Sequence, residues 1–169
     1  DYAVKDAEDI KSMLVDKFNF QQGNIVLLKN EEATKASILQ EFSNITKKAG
    51  DNDRVLIFFA GHGQTQDLPD GGEMGYLMPV NGDEKDLYIS AIDMDELRKI
   101  SLLSKAKHIL YLVDACYGGI SIIGARNTGN NMMWGESDYE TTPDYFQETT
   151  QTDFLKKITE NKSRQIITA

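Results

Sequence analysis

The sequence predicts an α/β domain built on a mainly parallel sheet, and three observations lead there. Two uninterrupted apolar runs, RVLIFFA over residues 54–60 and KHILYLV over residues 107–113, lack the polar alternation of a half-exposed strand. Strands of that kind are covered on both faces, as in parallel sheets. Segments with helical periodicity alternate with them along the chain, and the 169 residues with 40% hydrophobic content suffice for one core.

Ala7, Ile10, Met13, Leu14 and Phe18 recur at spacings of three and four, which predicts a helix over the first eighteen residues. After Gly23, the short apolar run Ile25 to Leu28 reads as a strand. Thr34 then caps a second helix through Ile38, Leu39, Phe42 and Ile45, closed by Gly50. The strand at residues 54–60 should be central. Asp70, Gly71 and Gly72 supply turn chemistry before a strand over residues 76–80, so an edge hairpin is expected there. Residues 90–103 read as helix and residues 107–113 as a second buried strand. From Gly124 to Gln151 the composition turns to Asn, Gly, Thr and acidic residues without period, which predicts a long flexible loop. A helix at residues 153–161 and a strand at residues 164–169 follow. The opening on a helix and the ending on a strand suggest that a first strand and a closing region lie outside these residues.

Charge and cysteine usage narrow the function classes. A formal charge of −9 argues against nucleic acid, since phosphate binding needs clustered Lys and Arg. No apolar run approaches the roughly 20 residues that cross a bilayer, so a soluble protein without membrane contact is expected. The single cysteine cannot close an intramolecular disulfide, which fits a reducing, cytoplasmic compartment and leaves the thiol free for chemistry.

The informative residues cluster where the two apolar strands end: Ala60-Gly61-His62-Gly63 after one, and Asp114-Ala115-Cys116-Tyr117-Gly118-Gly119 after the other. Ligands of parallel sheets bind beyond the carboxyl ends of strands, so adjacency of these strands would bring the two clusters together. A thiolate is the attacking species, and an imidazole beside it favours its formation and then protonates the leaving amine. His62 and Cys116 are therefore the candidate catalytic pair. The alternative for each alone is structural, a buried small hydrophobe and a hydrogen-bonded ring. Gly61 and Gly63 are expected to clear space around His62, and the amides of Gly63 and Cys116 are candidate donors to an oxyanion hole. His108, inside a strand, is expected to make a local hydrogen bond only. No P-loop with its lysine is present, which sets aside a nucleotide-binding reading.

At these residues the chain resembles the caspase-like cysteine peptidases, and among them the metacaspase and bacterial caspase-homologue branch. VLIFFAGHGQ is similar to the family's histidine strand, YLVDACYGG to its cysteine strand, AVKDAEDI to the helix after its first strand, and RQIITA to the strand that opens its smaller subunit region. The resemblance implies a caspase-hemoglobinase-like sheet flanked by helices, with residues 1–169 forming the large-subunit part of the catalytic domain and the first strand and small-subunit region absent. It implies a cysteine endopeptidase with a Cys-His dyad, acting on protein or peptide substrates and completed by the small-subunit region of the same protein. No cofactor is needed for that chemistry. Metacaspases are often calcium-dependent, and the acidic residues between Glu136 and Asp153 are candidate Ca²⁺ ligands, with a solvated loop as the alternative because no EF-hand spacing appears. The other function class open to this fold is an inactive relative serving as an interaction scaffold.

Asp114 replaces the Gln that precedes Ala-Cys in caspases cutting after aspartate. Two residues before Cys116 on a strand, it would share the cleft and grip a basic substrate side chain, Arg better than Lys. The alternative is a carboxylate capping the turn after the strand. Asp6 is a candidate second acid of that pocket, or else a first-turn carboxylate favouring the helix dipole. Arg126, the only basic residue of the 124–151 loop, is the candidate self-cleavage point, with an inert insertion as the alternative.

Overall fold

The computed structural model describes residues 2–116 and 162–168. The loop expected at residues 124–151, with Arg126 and the acidic segment, and the helix expected at residues 153–161 lie outside the described residues.

The chain opens with α1 (Tyr2–Phe18), as its periodicity predicts. After a short 3-10 turn, residues 25–29 run extended, with φ/ψ of −112/120 at Ile25 and −130/146 at Lys29. The Lys29 ammonium ties this segment back to α1 through the Glu8 carboxylate at 2.7 Å. The strand expected at residues 25–28 is flanked by extended backbone at Ile25 and Lys29 but joins no ladder among the described residues. Its apolar side chains marked it correctly as extended, yet a strand is defined by a hydrogen-bonded neighbour, and none is there. Then α2 (Lys35–Lys48) begins at Thr34, whose side-chain oxygen accepts the Ser37 amide at 3.1 Å and satisfies an otherwise orphaned donor.

The central strand β1 (Arg54–Asp67) is longer than the apolar run suggests. It forms a hairpin with β2 (Glu73–Leu77), and the turn uses Gly71 at φ +84 and Gly72 at φ +91, angles that side chains rarely adopt. The hairpin is not the sheet edge. A two-residue strand β3 (Ile92–Asp93) pairs outside it, interrupting the single helix expected over residues 90–103. That region is instead α3 (Leu87–Ser90), β3, and then α4 (Met94–Leu103), which restarts because the Asp93 carboxylate accepts the Glu96 amide at 2.9 Å. The strands β4 (His108–Cys116) and β5 (Ser163–Thr168) complete a five-stranded sheet of order β3-β2-β1-β4-β5. Its longer ladders, β1 with β4 and β4 with β5, are parallel, and the β1-β2-β3 side is antiparallel.

One face of the sheet carries the tightest core. Ile109, Tyr111, Val113 and Ala115 of β4 pack with Leu97 and Ile100 of α4, and Val55, Ile57 and Phe59 of β1 join them with Ile38 and Phe42 of α2. The Tyr111 hydroxyl, fully buried, donates to the Leu97 carbonyl at 2.8 Å and meets the Ser101 hydroxyl, so α4 is held by a polar pin as well as by apolar packing. α1 contacts β1 without joining that cluster, and so covers the other face. Near the sheet's amino end Arg164 spans β5 and the α4-β4 turn, donating to the carbonyls of Ser101, Ala106 and Lys107. No helix among the described residues is long and apolar enough to cross a membrane.

Candidate active site

The site follows from the register of two parallel strands. β1 and β4 pair residue for residue from Arg54↔His108 to His62↔Cys116. Residues 54 apart in sequence thus become lateral neighbours at the carboxyl end of the sheet, the end where parallel sheets place ligands. Ala60 to Gly63 lie within β1 and Asp114 to Cys116 within β4 rather than after them, since both strands run on past the apolar runs that announced them. The apolar composition stops where the sheet ceases to be covered, whereas backbone pairing continues.

His62 is exposed, and no described residue hydrogen-bonds its ring. Its backbone is held firmly: the Met78 amide donates to the His62 carbonyl at 2.9 Å, at the point where β1 exchanges β4 for β2 as its partner. Met78, which follows the hairpin, was not singled out from the sequence, because a backbone donor leaves no residue-type signature. Gly63 is the first residue of β1 in register with β2, opposite Leu77.

At Gly61 the structure shows a close aromatic neighbour. A Cβ there would lie 3.0 Å from the Phe59 ring, and its three nearest contacts are all atoms of that ring. Gly61 therefore accommodates an aromatic neighbour two residues back on the same face. Asp114 occupies the β4 position opposite Ala60 and is exposed. It lies inside β4, two residues before Cys116. Asp6 is half-buried in α1, past the first turn, where no acidic residue stands. No hydrogen bond or ion pair among the described residues joins it to Asp114 or His62. Arg126 lies outside the described residues.

His108 behaves as expected of a structural imidazole. Its Nδ1 meets the Ser163 hydroxyl at 2.8 Å across the β4-β5 ladder. Burial lowers its pKa below the ordinary value, and the nearby Arg54, Lys107 and Arg164 cations push the same way. Among the described residues no group of three or more His, Cys, Asp or Glu is placed to hold a metal ion.

A histidine and a cysteine stand in register on neighbouring parallel strands, and the helix-flanked mixed sheet defines the class as an α/β protein. The family described as metacaspase, peptidase C14 domain, matches residues 2–123, and the chain belongs to it. It is 28% identical over 131 residues to metacaspase-1 of Botryotinia fuckeliana, and 27% identical to metacaspase-1B of Neurospora crassa. Each match takes in 70% of this chain and 30% of the relative, so the chain spans under a third of the length of the curated relatives it matches. Among solved structures it is similar to protein GSU0716 from Geobacter sulfurreducens, with a TM-score of 0.53 and 21% identity over 71% of this chain and 43% of that one. That likeness concerns the fold alone. By its description that family is one of peptidases.

Proposed function

We propose that this chain is the catalytic part of a cysteine endopeptidase in which Cys116 is the nucleophile and His62 its acid-base partner. The observation that carries the reading is the His62↔Cys116 register at the carboxyl end of the sheet. In this mechanism the Cys116 thiolate attacks the scissile carbonyl carbon, and the resulting oxyanion is stabilised by backbone amides, with Gly63 and Cys116 as the candidates. Collapse of the intermediate breaks the C–N bond, and the His62 imidazolium gives its proton to the leaving amine. Water, deprotonated by His62, then hydrolyses the thioester. The chemistry needs only these groups, and Ca²⁺ would act as an activator through the acidic residues between 136 and 153.

Specificity for Arg or Lys before the cleaved bond rests on Asp114. Its exposure and its place two residues before Cys116 on one strand support this, because such residues lie on the same side of the sheet. A carboxylate there grips a guanidinium with two charge-assisted hydrogen bonds and repels an acidic side chain. Asp6 would contribute a second negative charge, and the small-subunit region would supply the remaining pocket walls. Arg126 is the proposed point of self-processing, which N-terminal sequencing of active protein would reveal as a new end at Asn127.

The deciding experiment is a peptide library varied at the residue before the scissile bond, run on the wild type and on Asp114→Asn. The wild type should prefer Arg over Lys and reject Asp, and the variant should lose at least about a hundredfold on Arg substrates, since an unpaired buried charge costs several kcal/mol. A wild-type preference for Asp or a large apolar residue refutes the specificity, and so does an Asn variant that handles Arg unchanged.

A further inference from the structure

Beyond His62 the strand β1 continues to Asp67, and from Gly63 onward it is paired with β2. Residues two apart on a strand share a face, and so do residues opposed across a ladder. His62, Gln64 and Gln66 of β1 therefore stand on one face with Cys116, opposite His62 on β4, and with Tyr76, opposite Gln64 on β2. The two glutamines form a row that starts at the histidine.

They are not equivalent. Tyr76 is buried in a satellite cluster with Leu87 and Ala91, against which Met74 and Met78 pack, and its hydroxyl donates to the Gln66 Oε1 at 3.2 Å. Gln66 is thereby committed to the hairpin. Gln64 is half-buried, and its side-chain amide makes no hydrogen bond to any described residue. The backbone that carries it is held in place, by the β2 ladder on one side and by the Met78 amide on the His62 carbonyl. An uncommitted donor and acceptor on a fixed strand next to the dyad are available to a ligand.

We propose that Gln64 binds the main chain of the substrate just after the scissile bond. This rests on the dyad reading. If the His62 imidazolium protonates the leaving amine, that nitrogen lies beside the imidazole when the C–N bond breaks. Asp114, opposite Ala60, is placed for the residue before the cut, on the other side of His62 along the strands. The departing chain is thus directed over the continuation of β1, where Gln64 is the next residue of the same face. It stands about 7 Å along the strand from His62, at about 3.3 Å per residue, which is the advance of two residues in an extended peptide. A primary amide matches a peptide group, donating N–H to a carbonyl and accepting N–H at Oε1. The element recognised is therefore the main chain of the second residue after the cut, with little selection among its side chains.

The test compares leaving groups, using the intact protein as wild type, Gln64→Ala and Gln64→Leu. One substrate is a coumarin amide of the preferred residue before the cut, with no amino acid after it. The others are quenched peptides of the same acyl part followed by one, two or three alanines. In the wild type the second alanine should raise kcat/KM about tenfold, as two neutral hydrogen bonds would, and neither variant should show that gain. Turnover of the coumarin amide should be unchanged in both variants. It needs the same fold and the same dyad, so it separates a lost contact from a damaged enzyme, and Gln64→Leu keeps the bulk of the side chain. Variants that retain the gain overturn the assignment, and so do variants that lose the coumarin amide and the peptides in equal measure. Failure of the dyad reading looks different: a wild type that hydrolyses none of these substrates overturns that reading and this assignment with it.

Discussion

Replacing Gly61 by Ala adds one methyl group one residue before His62, and its cost can be worked from the packing. The new Cβ would lie 3.0 Å from Cζ and 3.2 Å from Cε1 of Phe59, inside the roughly 3.5–4.0 Å at which carbon atoms attract. The ring must yield by several tenths of an ångström. It is not free to do so, because Phe59 packs against the main core cluster with Ile57 and Val55. Overpacking of this kind costs about 1–3 kcal/mol, and the gain in strand propensity of Ala over Gly recovers well under 1 kcal/mol. Gly61→Ala should therefore lose about 1–2 kcal/mol in urea unfolding, read as a lower midpoint at unchanged slope. Phe59→Leu removes the ring atoms that the methyl group meets. The double variant should accordingly be more stable than the sum of the two single changes predicts, with a coupling of about 1 kcal/mol or more. Wild-type stability of Gly61→Ala, or strict additivity in the cycle, would refute the account of this glycine.

Removing the Cys116 thiol by Cys116→Ala should abolish peptide hydrolysis without moving the unfolding midpoint, and His62→Ala should lower turnover about 10²- to 10⁴-fold; near-wild-type cleavage by either variant would dismiss the dyad. Tyr111→Phe leaves the Leu97 carbonyl and the Ser101 hydroxyl without the buried phenol, so a loss of about 1–3 kcal/mol is expected in the same urea assay. His108 has a folded-state pKa below its ordinary value near 6.5. The unfolded chain then binds the proton more readily, so the stability held by neutral His108 is present above pH 6.5 and is lost as the pH falls through the folded-state value. Wild-type stability should decline between pH 7.5 and pH 5.5 more steeply than that of His108→Gln, and parallel curves would show that His108 does not carry this dependence.

The sequence alone determined the elements whose signals are local. α1 and α2 lie where period and the Thr34 cap put them, and β1 and β4 contain the two apolar runs, since burial on both faces leaves its mark in composition. The candidate dyad was legible for the same reason: His62 and Cys116 each follow a run that announces a covered strand. Tertiary structure decided what depends on partners. Residues 25–28 join no ladder among the described residues, because a strand needs a neighbour that its own side chains do not specify. The interruption of residues 90–103 by β3 arises from pairing with Tyr76 and Leu77, which no helical period in that stretch reveals. The close approach of the Phe59 ring to Gly61 and the backbone bond from Met78 that anchors His62 leave no trace in residue type. Only the register of β1 against β4 turned two motifs separated along the chain into lateral neighbours, since hydrogen-bond pairing between strands, rather than distance along the sequence, fixes which residues meet.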